Sequence, residues 1–314
     1  MSEKKQESFF AKIHNPGFTW HDFITILFFV VILMEFAAEI LGTIAVGWIP
    51  ETNGFLIIFK RYFMTIGTWI AYLMLILLFK KNKPIFRALT PEAKGNTWKM
   101  LLLGLIVGFA QNFIVAVGAM LNGDIALSYG KFEIFPLLAL LGAVFIQSSS
   151  EELVCRGFLY QRIKRGYRHP AWRIVGNSVL FAALHLLNPS VGAIPIINLI
   201  LVAILYSLIV YYFDSIWFCM AAHAGWNWTQ NILLGLPNSG LVSNYSFMQV
   251  DAANAQTSFF YDPGFGIEGS VCATLVILIS IAVVVYFGKK RNQPELDVWV
   301  KQELSEIKTE GQAV

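Results

Sequence analysis

Long apolar stretches separated by short polar segments make up most of the chain. A transmembrane helix needs about 20 mostly apolar residues, and eight stretches reach or approach this length. They cover 23–46, 55–79, 98–120, 134–150, 175–187, 194–213, 216–236 and 267–287. We expect the fourth stretch to continue to about Arg162 as one long helix, whereas the fifth is short. The pattern predicts an all-α fold, a polytopic transmembrane helix bundle of about eight spans.

The order of these stretches also divides the chain, because no tandem repeat, low-complexity tract or linker separates two domains. The first apolar run is longer than the 7–15 residues typical of a signal peptide, so we expect it to stay as a helix. The predicted segments are a cytoplasmic N-terminal segment at 1–20, N-terminal transmembrane helices at 21–133, motif-bearing helices at 134–236, an external loop at 237–266, a last transmembrane helix at 267–288 and a cytoplasmic tail at 289–314.

Composition supports a membrane location and excludes several other classes of protein. Of the 314 residues, 56% are hydrophobic and 14% are charged, whereas soluble domains carry roughly 25% charged residues. The net charge of +3 is small, and no basic tract with interleaved aromatic residues indicates nucleic-acid binding. The three cysteines all lie in apolar stretches, which argues against a disulfide framework. We therefore expect an integral, multi-pass membrane protein, and its 26 phenylalanines and short polar ends suit a bacterial cell membrane.

Lysine and arginine are concentrated in alternate connections between the predicted spans. Cytoplasmic loops are enriched in these residues, so the alternation places both termini in the cytoplasm and the 237–266 loop outside. The residues concerned are Lys4, Lys5, Lys12, Lys80, Lys81, Lys83, Arg87, Lys94, Lys99, Arg162, Lys164, Arg165, Arg168, Arg173, Lys289, Lys290, Arg291 and Lys301.

Three polar motifs interrupt the most apolar half of the chain. A titratable side chain at membrane depth is costly and is a functional candidate by default. If the three segments pack together, their polar residues form a pocket inside the bundle. The motifs are Glu-Glu-x-x-x-Arg at Glu151, Glu152 and Arg156, Phe-x-x-x-His at Phe181 and His185, and His-x-x-x-Asn at His223 and Asn227.

The first motif assigns different environments to its two acids. Adjacent residues on a helix point about 100° apart, so Glu151 and Glu152 cannot share one role. The i,i+4 spacing favours pairing of Glu152 with Arg156 and leaves Glu151 to face a cavity. The alternative is a helix end with solvated charges near the cytoplasmic surface, where Arg156 extends its charged end to water.

The two histidine motifs differ in how strongly they indicate function. His185 alone in an apolar helix is more often a hydrogen-bonded structural residue. His223 and Asn227 share one helix face through their i,i+4 spacing, and we expect Asn231 to extend that face by a turn. Such a polar stripe is costly inside a membrane unless it faces a wet pocket.

Two further groups of polar residues lie in apolar stretches. The acids Glu35 and Glu39 form an i,i+4 pair in the first helix. They fit a cavity lining, a proton-binding site or a contact with another subunit, and the sequence does not choose among these. Three consecutive serines precede Glu151, namely Ser148, Ser149 and Ser150. They lack a Gly-x-Ser-x-Gly elbow, which argues against a serine nucleophile.

The chemistry of these side chains favours hydrolysis without a metal. A carboxylate and an imidazole can hold one water and act as general base for its attack on a carbonyl carbon. A second imidazole and a carboxamide can donate hydrogen bonds to the developing oxyanion. Glutamates and histidines also resemble a zinc site, but His-Glu-x-x-His is absent and an asparagine is a poor replacement for an anionic ligand. Zinc held by Glu151, His185 and His223 stays as the alternative.

The three motifs, in this order on successive membrane helices, resemble those of the CPBP intramembrane proteases. That family includes the eukaryotic CAAX prenyl endopeptidase and bacterial Abi-type proteins linked to bacteriocin processing and immunity. The resemblance covers roughly 138–236, and the first three helices and the last one carry no matching motif. It implies that Glu151 and His185 activate the water and that His223 and Asn227 form the oxyanion site. The implied supporting residues are Glu152 and Arg156.

We therefore predict an intramembrane endopeptidase of the glutamate type that cleaves a membrane-associated protein or peptide and needs no cofactor. Its partners are that substrate and the lipid bilayer, without nucleic acid. A prenylated CAAX protein, a leader peptide and a membrane-protein fragment all fit as substrates. The competing class is a membrane transporter or scaffold whose acids relay protons. An oxyanion stripe has no role in a relay, and the paired broken helices and internal repeats common in transporters are absent.

Overall fold

The computed structural model describes residues 8–291 and 294–300 of the chain. The predicted basic residues Lys4, Lys5 and Lys301 lie outside the described residues, as does most of the predicted cytoplasmic tail.

Helices dominate the described part of the chain, which confirms the predicted all-α class. Its two strands, β1 (Leu127–Tyr129) and β2 (Met248–Val250), have three residues each and pair antiparallel. The helices are α1 (Phe9–Ile13), α2 (Ile24–Val46), α3 (Gly54–Phe63), α4 (Ile66–Leu78), α5 (Trp98–Leu121), α6 (Ile134–Glu152), α7 (Tyr160–Gly166), α8 (Pro170–Leu184), α9 (Ala193–Phe213), α10 (Ile216–Asn227) and α11 (Val271–Lys290).

Six helical stretches of the described chain are long and apolar enough to cross a membrane, so the fold is a polytopic membrane helix bundle. The other two predicted spans are also helical: α8 has 15 residues, and α10 has 12 before it continues in a π-helical segment. The six stretches are Ile24–Val46, Gly54–Leu78, Trp98–Leu121, Ile134–Gly166, Ala193–Phe213 and Val271–Lys290.

The long Ile134–Gly166 stretch agrees with the prediction that the fourth span continues past the two acids. It contains α6, a π-helical segment at Leu153–Leu159, and α7. A second π-helical segment, Trp228–Leu233, follows α10. Two of the three motif-bearing helices, α6 and α10, therefore change from α to π geometry, after Glu152 and Asn227 respectively, and π turns inside helices occur frequently at functional sites.

Helix α10 lies in the interior of the bundle and packs closely on α5. Gly104 and Gly108 of α5 face the backbone of α10, where a Cβ atom on Gly108 would overlap the carbonyl oxygen of Ala222. Gly225 of α10 makes the reciprocal approach to the backbone of α5. Small residues at this spacing allow membrane helices to come together. The approach places the polar face of α10 toward α6 and α8.

The connection from 234 to 269 folds back onto the bundle instead of extending from it. Gln230 and Asn231, in the π-helical segment after α10, donate to the carbonyl oxygens of Pro237 and Leu236. At the other end, Asn198 of α9 donates to the carbonyl oxygen of Glu268 at 2.8 Å. Buried side-chain amides thus hold the predicted external loop against the motif-bearing helices.

Candidate active site

One cavity of about 410 Å³ brings together all three sequence motifs. Glu151 comes from the last turn of α6, His185 caps the C-terminus of α8, and His223 and Asn227 come from α10. All four side chains line this cavity. The pocket expected from packing of the motif-bearing helices is therefore present.

Glu151 has one carboxylate oxygen engaged and one free. Its Oε1 accepts a 2.5 Å hydrogen bond from Nε2 of Gln147, four residues earlier on α6. Its Oε2 has no hydrogen-bond partner among the described residues. This oxygen lies 4.0 Å from Nε2 of His185 and 3.8 Å from Nε2 of His223. Both separations exceed a hydrogen bond, and both are short enough for one water to contact the two atoms.

The backbone of α8 fixes the tautomer of His185. Its Nδ1 lies 2.8 Å from the carbonyl oxygen of Phe181, which can only accept. Nδ1 therefore carries a proton, and Nε2 presents its lone pair toward Glu151 while the ring is neutral. The Phe181 ring stacks beside the imidazole with centroids 4.8 Å apart, and its face lies 5.0 Å from the guanidinium of Arg156.

Glu152 joins the first motif to the third. Its Oε1 lies 3.0 Å from Arg156 and 3.1 Å from Nδ1 of His223. The predicted Glu152–Arg156 pair is present, and both side chains are fully buried, so Arg156 does not extend to the surface. Arg156 also donates to the carbonyl oxygen of Ala203 at 2.9 Å. The contact with His223 was missed from the sequence because it joins residues 71 apart.

Asn227 donates both of its amide hydrogens to residues of α6. Its Nδ2 lies 3.2 Å from Oε1 of Gln147 and 3.2 Å from Oγ of Ser148. Its Oδ1 accepts from Nδ2 of Asn238, in the connection after α10, at 3.1 Å. Gln147 was not singled out from the sequence, although its position four residues before Glu151 places both on one helix face.

Asn231 does not extend the polar face of α10, contrary to expectation. Asn231 lies in the π-helical segment that begins after Asn227. Its side chain points toward α3, where its Oδ1 accepts from the hydroxyl of Tyr62 at 2.9 Å. Its amide nitrogen donates to the carbonyl oxygens of Leu236 and Leu241. It holds the connection after α10 and does not line the cavity.

The acidic pair of α2 lies beside the cavity. Glu35 lines it, which fits the cavity-lining alternative among those left open by the sequence. A second recess of about 320 Å³ is lined by both Glu35 and Glu39. The recess shares Glu35, Thr65, Thr68 and Leu184 with the main cavity, so the two spaces adjoin between α2, α4 and the end of α8.

Two residues at the cavity were not found from the sequence because they lie in a connection without a motif. Asn238 contacts Asn227, and Glu268 accepts from Asn238 and from the backbone N–H of Ser239. Burial raises the pKa of Glu268 to about 7, against the lowering effect of the Ser239 N–H. Glu268 also lines a small cavity of about 50 Å³ together with His223 and Asn227.

The zinc-dependent alternative requires that Glu151, His185 and His223 together hold a metal ion. Among the residues that the structure describes, no three histidine, cysteine or carboxylate side chains form a group that could hold a metal ion. Glu151, His185 and His223 nevertheless converge, with Oε2 of Glu151 4.0 Å from Nε2 of His185 and 3.8 Å from Nε2 of His223.

Comparison with known proteins places the site within a matched segment. Residues 133–229 match the family described as type II CAAX prenyl endopeptidase Rce1-like. An uncharacterized protein of Bacillus subtilis (strain 168), YyaK, is 30% identical over 130 residues, which make up 40% of this chain and 42% of that protein. The match thus spans less than half of the relative's length. No solved structure matches the chain significantly.

The matched segment contains all three motifs and the four side chains that line the cavity. It lies in an integral membrane helix bundle, as the six apolar helical stretches indicate. The match to the Rce1-like family over residues 133–229 therefore confirms the resemblance to CPBP intramembrane proteases that the three motifs indicate.

Proposed function

We propose that this protein is an intramembrane endopeptidase in which Glu151 activates a water for attack on a peptide bond. The single observation that carries the proposal is the Oε2 atom of Glu151. It is buried without a partner among the described residues, and it faces the Nε2 atoms of His185 and His223 at 4.0 and 3.8 Å. A carboxylate placed in this way is a general base for a water held beside it.

The first step follows from the tautomer of His185. The water donates one hydrogen to Oε2 of Glu151 and the other to the Nε2 lone pair of His185. When the water attacks, Glu151 takes its proton, a carbon–oxygen bond forms, and the carbonyl π pair moves onto oxygen. The tetrahedral intermediate then collapses, the carbon–nitrogen bond breaks, and the proton returns from Glu151 to the leaving amine.

The developing oxyanion needs donors, which His223 and Asn227 supply in this proposal. Glu152 accepts from Nδ1 of His223, so Nε2 donates only when the ring is an imidazolium. In this proposal the ring carries that charge when the oxyanion forms. Asn227 already uses both hydrogens on Gln147 and Ser148, so the oxyanion replaces one of these acceptors when substrate binds.

The proposed substrate is a membrane-associated protein or peptide, and the bilayer is the other partner. A prenylated CAAX protein, a leader peptide of the bacteriocin type and a membrane-protein fragment are the candidates that follow from the family resemblance. The adjoining recess lined by Glu35 and Glu39 gives the cavity a second space in which residues flanking the scissile bond can lie.

The test is cleavage of membrane peptides by the purified protein in nanodiscs. Glu151→Gln keeps the shape of the side chain but removes the base, so we expect no turnover from a folded protein. Glu133→Gln, at the start of the same helix and outside the cavity, is the matched control and should leave turnover unchanged. Near-normal turnover by Glu151→Gln would contradict the proposal.

Chelation separates this mechanism from the zinc-dependent alternative in the same assay. We expect turnover to persist after thorough chelation and the purified protein to contain less than one zinc per chain. Complete loss of turnover on chelation, restored by zinc alone, would assign Glu151, His185 and His223 to ligation. The peptides that accumulate in cells expressing Glu151→Gln, compared with the unaltered protein, would identify the substrate.

A further inference from the structure

A chain of side-chain amides connects Glu151 to a second carboxylate on the far side of the site. Gln147 donates to Oε1 of Glu151 at 2.5 Å, and Asn227 donates to Oε1 of Gln147 at 3.2 Å. Asn238 donates to Oδ1 of Asn227 at 3.1 Å and to Oε1 of Glu268 at 3.5 Å. Three carboxamides thus lie in series between two carboxylates.

The two carboxylates determine which way each amide faces. A carboxamide has an oxygen end and a nitrogen end of nearly equal size, so shape alone does not orient it. Glu151 accepts hydrogen bonds and so selects the NH₂ of Gln147, which leaves the Gln147 oxygen facing Asn227. Glu268 similarly selects the NH₂ of Asn238, whose second hydrogen then meets the oxygen of Asn227.

Asn227, in the middle of the series, is oriented from both sides. Its oxygen meets the NH₂ of Asn238, and its NH₂ meets the oxygen of Gln147. If the Asn227 amide turned over, oxygen would face oxygen on one side and NH₂ would face NH₂ on the other. Buried polar groups without a complementary partner are costly. The observed orientation directs the donor end of Asn227 toward α6, where Glu151 lies.

The Glu268 end of the series is itself held in place. Its Oε1 also accepts from the backbone N–H of Ser239, so the same oxygen serves both donors whether or not Oε2 is protonated. Glu268 lies in a short 3-10 turn, Ile267–Gly269, which follows Gly266 at φ +93°. Asn198 of α9 donates to the carbonyl oxygens of Glu268 and Ser270 and fixes this turn to the bundle.

We propose that Asn238 and Glu268 are positioning residues that orient the Asn227 amide for the oxyanion, a role that rests on the proposed protease function. Both lie outside the matched segment 133–229. They act through Asn227 and contact neither the attacking water nor the scissile peptide bond in this scheme. The alternative is that they only hold the connection after α10 against the bundle.

The kinetic test uses graded variants of Glu268. Glu268→Ala removes the acceptor and should lower kcat by about 10-fold, less than the 10²–10³ typical of losing an oxyanion donor outright. KM should stay nearly unchanged, whereas the thermal unfolding midpoint should fall because the Ser239 N–H loses its acceptor. Glu268→Gln retains an oxygen for both donors and should restore most of kcat. A purely structural role predicts instead a lower unfolding midpoint with kcat unchanged, or a higher KM.

A double-mutant cycle tests whether Glu268 acts through Asn227. The variant with both Asn227→Ala and Glu268→Ala should have the same kcat as Asn227→Ala alone, because no amide remains to be oriented. Glu133→Ala is the matched control, since it removes another carboxylate that holds the same connection, through the hydroxyl of Tyr245 at 2.9 Å. It should not alter kcat. If the double variant lowered kcat by the product of the two single-variant factors, the proposal would be overturned.

A second readout does not depend on turnover. In protein labelled with ¹⁵N-asparagine, the side-chain NH₂ signals of Asn227 are assigned by their disappearance in Asn227→Ala. We expect Glu268→Ala to shift or broaden these signals and Glu133→Ala to leave them in place. An active Glu151→Gln protein would contradict the proposed protease mechanism. The NMR measurement would still show whether Glu268 orients the Asn227 amide. Unchanged Asn227 signals in Glu268→Ala would refute the positioning role.

Discussion

Glu151 and Glu152 are neighbours in sequence with opposite surroundings. Glu151 lines the cavity with a carboxylate oxygen that accepts no hydrogen bond from a described residue, whereas Glu152 is fully buried between Arg156 and His223. The 100° between consecutive helical residues is enough to produce this difference. We therefore propose that Glu151 meets the water and that Glu152 acts on the site through His223.

We expect Glu152→Gln to destabilise the protein more than it alters the chemistry. The change leaves the buried guanidinium of Arg156 without a counter-charge, and breaking a buried ion pair in this way costs about 3–5 kcal/mol. Thermal unfolding in nanodiscs should show a lower midpoint than for Glu151→Gln, which removes no such pair. Equal midpoints for the two variants would contradict the buried-pair interpretation.

Asn227→Ala distinguishes a protease from a proton relay. Loss of one oxyanion donor should lower kcat by roughly 10²–10³ with little change in KM, since the donor acts mainly in the transition state. An amide does not titrate, so a relay through Glu151 and His185 would continue without it. The measurement is steady-state cleavage of a membrane peptide. A folded Asn227→Ala protein with the original rate would remove this residue from the mechanism.

Glu268 should make stability depend on pH. Burial raises its pKa from 4.5 to about 7, so between these values the folded protein keeps a proton that the unfolded chain has lost. Stability from this group is therefore complete below pH 4.5 and is lost as pH rises through about 7. The thermal unfolding midpoint should decrease as the pH is raised from about 5 to about 8, and this decrease should be smaller in Glu268→Gln. An identical pH profile for both proteins would contradict this assignment.

At the scale of elements, the sequence predicts contacts within one helix turn better than contacts between helices. The i,i+4 rule gave the Glu152–Arg156 pair correctly, since four residues make about one helical turn and bring the two side chains together. The same rule failed for Asn231, whose side chain contacts Tyr62 of α3 and the connection after α10, and helix periodicity does not reveal such partners. The Asn238 and Glu268 contacts cross between separate elements, where helix spacing carries no information.

Close packing of α5 on α10 gives a prediction at this scale. Gly108→Val should displace α10 and lower both stability and turnover, because the new side chain would overlap the Ala222 carbonyl group. Gly142→Val in α6 is the matched control, since a Cβ atom there meets no heavy atom within 4 Å. Unfolding midpoints and cleavage rates of the two variants check this. Equal tolerance of both changes would argue against close α5–α10 packing.

The whole molecule follows the hydropathy pattern closely, although polar contacts modify its details. All eight predicted spans are helical, and six meet the length and apolarity expected of a membrane helix by themselves. The other two, α8 and α10, have 15 and 12 residues and carry His185, His223 and Asn227. His223 and Asn227 contact residues of α6, which a one-dimensional pattern cannot record.

The distribution of basic residues gives a testable orientation. We propose that both termini are cytoplasmic in a bacterial cell membrane, with the 237–266 loop outside. After replacement of Cys155, Cys219 and Cys272, a cysteine at Arg168 should react only with membrane-permeant reagents. A cysteine at Asn254 should also react with impermeant reagents added to intact cells. Labelling of position 168 from outside would contradict this orientation.

The connection from 234 to 269 also bears on whether the motif-bearing segment is a transferable module. Residues 133–229 contain every motif, yet Asn238 and Glu268 reach Asn227 from beyond that boundary. A chimera that received only this segment would contain the proposed catalytic side chains but not Asn238 and Glu268, which we propose orient Asn227. All three motifs would still be present in the sequence of such a chimera. The proposed activity therefore depends on a longer stretch of the chain than the three motifs occupy.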